Sequence, residues 1–135
     1  MGGTAPRPLS DHERSLLELL SAEDFPGVAE LRAQARAVRV KGLWEGCPSV
    51  VLLEVTNRDA PRASVVHAVP VEARVRDAEP ARELLLFVKD GLLESLEVVD
   101  YGSSSQSGLP AVDELEGPIT NSTQVKSRQP RSLPN

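Results

Sequence analysis

Aromatic side chains are scarce: Phe25, Trp44, Phe87 and Tyr101 are the only four in 135 residues. Modules for RNA or single-stranded nucleic acid stack bases on several rings, and four scattered ones make a poor platform. Cysteine occurs once, at Cys47, which excludes an intrachain disulfide framework and favours a reducing compartment. One Cys and two His, His12 and His67, cannot assemble a Cys- or His-rich zinc site. No stretch approaches the roughly 18 consecutive apolar residues of a membrane span, and Met1 to Leu9 has no signal-like apolar run. A cytoplasmic protein is expected.

Signature motifs are missing as well. Neither G-x-G-x-x-G nor G-x-x-x-x-G-K-[ST] occurs, so no phosphate cradle is indicated, and the G-x-S-x-G nucleophile elbow is absent. No cofactor is expected. Positive charge is deficient too: 15 Lys and Arg stand against 20 Asp and Glu, a formal net charge of −5. After Gly117 there are three basic residues, Lys126, Arg128 and Arg131, and no acids, which leaves residues 1–117 with twelve basic against twenty acidic side chains, or −8. An acidic body repels phosphate backbones and anionic lipid, so neither nucleic acid nor membrane is an expected partner.

Val, Leu and Ala supply most of the 40% apolar content, enough for a core in one domain. Residues 1–8 read as a flexible leader. Ser10-Asp11-His12-Glu13 matches a capping box, and Leu16, Leu17, Leu19 and Leu20 extend it as a helix to about Ala22. A second helix comes after Phe25-Pro26-Gly27, with Pro26 suited to its first turn and Val28, Leu31 and Ala35 on one stripe. From Val38 the period becomes strand-like, over Val38–Leu43, Ser49–Thr56, Val65–Arg76, Glu83–Lys89 and Leu92–Tyr101. Pro70 predicts an edge position or a bulge in the third of these. Asp90-Gly91 is the favoured dipeptide for a two-residue type I′ hairpin. In the last strand Leu92, Leu96 and Val98 share one parity and Leu93, Val99 and Tyr101 the other, which predicts two partly solvated faces.

Two helices before four or five antiparallel strands predict an α+β fold, with the helices on one face of a meander sheet. The domain spans 9–116, with a Ser/Gly-rich linker at 103–108, a segment from Leu109 to Val112 able to dock back, and an acidic tip over Asp113–Glu116. The composition of 117–135 predicts a disordered tail, with 118–135 dispensable for folding.

Candidate sites are few. Cys47 lies between Gly46 and Pro48 in a predicted turn, where a thiol can be reactive, but Glu45 disfavours the thiolate. His12 at a helix start and His67 in a strand each lack an evident catalytic partner. Glu94, Glu97 and Asp100 offer carboxylates, yet Glu97 alternates with the other two along the strand and the three do not converge. Asp113, Glu114 and Glu116 lack the glycine and spacing of an EF-hand loop.

The segments Phe25-Pro26-Gly27, Leu31-Arg32-Ala33-Gln34, Gly46-Cys47-Pro48, Leu85 to Gly91, Ser95-Leu96-Glu97-Val98, Asp100-Tyr101-Gly102 and Leu109-Pro110 resemble a group of small uncharacterised cytoplasmic proteins from GC-rich bacteria. The resemblance covers roughly residues 9–116 and carries no activity. Several relatives have cysteines before the Cys-Pro pair, where this chain has Leu43-Trp44-Glu45-Gly46.

With no catalytic set recognisable, the expected function is a non-catalytic protein-binding module, such as an immunity-like inhibitor of a basic partner. Glu94, Glu97 and Asp100 on the last strand, or Asp11 and Glu18 on the first helix, would form its acidic rim. The alternative is a small-molecule-binding domain whose pocket lies between helices and sheet, with Trp44 or Tyr101 at its mouth.

Overall fold

Ser10 opens the first helix as its sequence dictates. The Ser10 hydroxyl accepts the Glu13 amide at 3.1 Å and the Glu13 carboxylate accepts the Ser10 amide at 2.8 Å. The computed structural model describes residues 6–65, 67–102 and 108–120; the expected tail beyond Thr120, most of the expected linker and the first five residues lie outside that range. Helix α1 spans Asp11–Leu20 and buries Leu16, Leu17 and Leu20. Helix α2 spans Val28–Ala35 and buries Val28, Leu31 and Gln34. Pro26 does not occupy its first turn, because Gly27 takes a left-handed conformation (φ 95°) as the N-cap. A Cβ there would stand 2.9 Å from Val65 Cγ1. The helices cap one another: Arg32 Nε donates to Ser21 O at 2.8 Å, and Arg14 Nη1 donates to Ala35 O at 3.0 Å. Each guanidinium satisfies a helix-end carbonyl and opposes the negative end of the dipole.

The sheet has seven strands rather than four or five, and every pairing is antiparallel. In chain order they are β1 (Arg7–Pro8), β2 (Val38–Leu43), β3 (Val50–Val55), β4 (Val71–Val75), β5 (Arg82–Lys89), β6 (Leu92–Asp100) and β7 (Leu115–Thr120). Their spatial order is β1-β2-β3-β6-β5-β4-β7. The two unforeseen strands are the edges. Arg7 and Pro8 of the expected leader pair with Val40 and Arg39, and Ile119 and Thr120, expected in the tail, pair with Glu72 and Val71. Both edges carry proline, Pro8 and Pro118, whose missing N–H blunts edge-to-edge association.

Strand β4 is shorter than Val65–Arg76 and lies inside the sheet, between β5 and β7. Pro70 precedes its first residue, so neither an edge nor a bulge is needed to accommodate it. The segment from Leu109, which its sequence leaves able to dock, does dock, with Leu109 packed on the core and His12 Nε2 donating to Pro110 O at 2.7 Å. The acidic tip is instead a 3-10 turn, Val112–Glu114, leading into β7.

Asp90 and Gly91, at φ 55° and 80°, turn β5 into β6 with the backbone of a type I′ hairpin. A few residues later the register slips. Phe87 faces Ser95 while Val88 faces Leu93, so Glu94 is the extra residue of a β-bulge. This bulge explains the mixed parity of β6: Leu93 faces the core before it, and Leu96 and Val98 face the core after it. The inward face is therefore uniformly apolar. Val40, Val51, Val71, Ala73, Leu84, Leu86 and Leu96 pack there beneath Leu16, Leu17, Leu20 and Leu31.

The opposite face has no helix among the described residues. It bears half-buried Val50, Leu52, Leu85, Phe87 and Val99, interspersed with Glu72, Arg74, Glu83 and Glu97.

Candidate functional site

At the end of β2 the chain turns through a short 3-10 segment, Trp44–Gly46, in which Glu45 adopts a left-handed conformation (φ 50°). Such a backbone costs a non-glycine residue about 1 kcal/mol or more, so other contacts must hold the turn. Cys47 N–H donates to Trp44 O at 2.8 Å, and Val50 N–H donates to Cys47 O at 3.1 Å. These bonds hold the turn, and Trp44, 53% exposed, borders the open sheet face beside Val50 and Leu52.

Beside it lies a groove of about 320 Å³, lined by Trp44, Val50, Leu52, Glu94, Ser95 and Glu97. The bulge builds its acidic side. Regular alternation would separate Glu94 from Glu97, but the extra residue returns Glu94 to the face that carries Ser95 and Glu97. The expectation that these carboxylates diverge is thus corrected for Glu94 and Glu97. Asp100 stays apart: it lies 3.8 Å from Arg82 Nε and accepts the Gly102 amide at 2.9 Å.

Ser95 is buried and donates to Glu97 Oε2 at 2.8 Å, which orients that carboxylate. Other carboxylates of the sheet have arginine partners: Glu54 with Arg39 at 2.9 Å, Glu83 with Arg74 at 3.6 Å, and Glu116 with Arg76 at 3.9 Å. Among the described residues neither Glu94 nor Glu97 has a cationic partner. Pairing of β3 with β6 stops at Leu52 and Ser95, and beyond it a second depression of about 360 Å³ opens. Its lining includes Arg62 and Lys89 as well as Glu54, Asp90 and Glu94, so its charge is mixed.

The other sequence candidates are scattered. Asp11 and Glu18 are exposed on α1, in the helix layer and away from the open face. Tyr101 is 62% exposed and does not line the groove. Its hydroxyl donates to Glu83 Oε1 at 3.2 Å, and that neighbouring carboxylate raises the phenol pKa. Cys47 is half-buried, its Sγ 3.0 Å from Ser49 Oγ. Neither histidine reaches the groove: His12 is tied to Pro110, and half-buried His67 lies in the irregular segment before β4. Among the described residues no three or more His, Cys, Asp or Glu side chains gather around one point where a metal could sit. No helix among them is long and apolar enough to cross a membrane.

The layer between helices and sheet is filled by leucine and valine, so the depression beside Trp44 is not the expected pocket there but lies on the opposite face. Sequence reasoning missed Gln34, whose side chain is wholly buried. Its Nε2 donates to Pro61 O and Gly91 O, both at 2.8 Å, and its Oε1 accepts the Leu93 amide at 2.9 Å. One amide thus locks α2, the loop after β3 and the hairpin that carries Glu94. An isolated glutamine in an Ala-rich helix gave no signal of this.

Compared with protein-family profiles, with curated proteins and with solved structures, the chain has no match in any of the three.

Proposed function

We propose that this chain is a non-catalytic protein-binding module that takes a basic partner on the open face of its sheet. The observation that carries the reading is the pair Glu94 and Glu97, without cationic partners among the described residues, beside the exposed indole of Trp44. Carboxylates left without countercharge on an accessible face attract a positive surface over a long range, and an exposed tryptophan supplies the apolar anchor typical of binding hot spots. An immunity-like inhibitor of a basic protein, acting in a bacterial cytoplasm, is the role that fits this chemistry and the single cysteine.

The test is capture of soluble proteins on the immobilised full chain, then competition with free wild type or with the Glu94→Lys/Glu97→Lys double variant. A captured basic protein released by wild type but not by the double variant supports the reading. Capture of no protein, or equal competition by both chains, contradicts it. A small organic ligand in the groove is the second reading, favoured by the three apolar walls of Trp44, Val50 and Leu52.

A further inference from the structure

The groove specifies more than a positive surface. We propose that it seats the guanidinium of a single arginine side chain, presented by an exposed segment of the partner; this rests on the protein-binding reading above. Three features converge on that occupant. Trp44, 53% exposed, forms one wall, and guanidinium is the cation that stacks on an indole ring with least desolvation. Two carboxylates, Glu94 and Glu97, lie in the same lining and lack a cation among the described residues, so a fork of N–H donors finds acceptors there. The aliphatic stem of arginine would cover Val50 and Leu52, which a small hydrated ion would leave wet.

Position along the sheet favours the same end of the depression. The adjoining cleft mixes Arg62 and Lys89 with Glu54, Asp90 and Glu94, whereas the lining beside Trp44 contains only acidic charges. Glu97 is also held in place, since buried Ser95 donates to its Oε2 while Oε1 remains available to an incoming donor. A carboxylate fixed before the ligand arrives loses less conformational freedom on binding.

Trp44 is the only tryptophan, so intrinsic fluorescence of the full chain reports this groove directly. The probe is an uncharged-backbone peptide, acetyl-Gly-Arg-Gly-Arg-Gly-amide, titrated against the same peptide with citrulline for arginine, which keeps the shape and removes the charge. The expected result is a saturable change with the arginine peptide and binding weaker by about tenfold or more with citrulline. Glu97→Gln and Glu94→Gln should each weaken the arginine peptide by about threefold to tenfold, and Glu18→Gln on α1 should leave it unchanged. Backbone amide shifts of Ser95 and Glu97 in nuclear magnetic resonance should move with the same dissociation constant. Equal response to both peptides, or no saturable change with arginine, overturns the proposal. Failure here while a captured basic partner still depends on Glu94 and Glu97, judged by the Glu94→Lys/Glu97→Lys double variant, removes the arginine site but leaves the binding module. Arginine binding without any protein partner preserves the site and removes the module.

Discussion

Replacing Gln34 by leucine removes one amide and leaves its partners behind, which makes the cost calculable group by group. Leucine fills nearly the same volume, so the cavity term is small. Gly91 O keeps a second donor, the Ala63 amide at 2.9 Å. Pro61 is exposed, and its carbonyl can turn to water. The Leu93 amide has neither remedy, because Leu93 is 3% exposed and its N–H points to Gln34 Oε1. A buried donor without a partner costs about 1–3 kcal/mol, and loss of the two bonds from Nε2 adds a fraction more. The expected destabilisation is about 2–3 kcal/mol, or roughly 6–10 °C in Tm for a domain of this size. Gln34→Glu should cost more at neutral pH, since it sets a carboxylate against two carbonyl oxygens, and should recover as the pH falls and that group protonates. Urea unfolding and exchange of the Leu93 amide measure both effects. A Gln34→Leu variant within about 0.5 kcal/mol of wild type, with the Leu93 amide equally protected, would refute the reasoning.

Glu13 makes stability depend on acid. Arg7 Nη1 and Nη2 each donate to its carboxylate at 2.8 Å, and those bonds hold its pKa below the ordinary value of 4.5 against the opposing effect of burial. A depressed carboxylate pKa stabilises the fold fully above the ordinary value, and that contribution disappears as pH falls through the lowered one. Because Arg7 is 38% exposed and partly screened, Glu13→Gln should cost only about 0.5–1.5 kcal/mol at pH 7 and should flatten the fall of Tm below about pH 5. A variant whose Tm falls as steeply as wild type in acid would contradict this. Two truncations distinguish strand β7 from the residues C-terminal to it. Ending the chain after Thr120 should move stability by under about 0.5 kcal/mol, whereas ending it after Gly117 removes the Ile119–Glu72 and Thr120–Val71 pairings and should cost more than about 1 kcal/mol by thermal unfolding. Cys47→Ser should leave partner capture unchanged with the fold intact by circular dichroism, since the thiol lies beside a serine hydroxyl and outside the groove lining.

How far the chain could be read from its residues depends on how local each signal is. The Ser10–Glu13 capping box and the Asp90-Gly91 turn are decided by contacts within four residues, and both form as their sequences indicate. Strands β1 and β7 are proline-bearing edges held by pairing to distant strands, so no local pattern announces them. The site was half visible. Glu94, Glu97 and Trp44 stand out as residues, but their convergence depends on the bulge at Glu94. That bulge did leave a trace, the switch of apolar parity from Leu93 to Leu96 and Val98, which a register slip explains better than two part-polar faces. Gln34 was invisible because its three partners lie 27, 57 and 59 residues away.

The central claim is that a basic partner meets the open sheet face at Glu94 and Glu97. Association kinetics of the captured partner with wild type, Glu94→Lys/Glu97→Lys and Asp11→Lys/Glu18→Lys, at low and near-physiological ionic strength, test it most directly. Steering charges act on the association rate and are screened by salt. The sheet-face variant is expected to associate about tenfold or more slowly at low salt, with a difference that shrinks at higher salt, while the helix variant stays much closer to wild type. A helix variant slowed as much as the sheet variant, or a sheet variant that associates as fast as wild type at both salts, would contradict it.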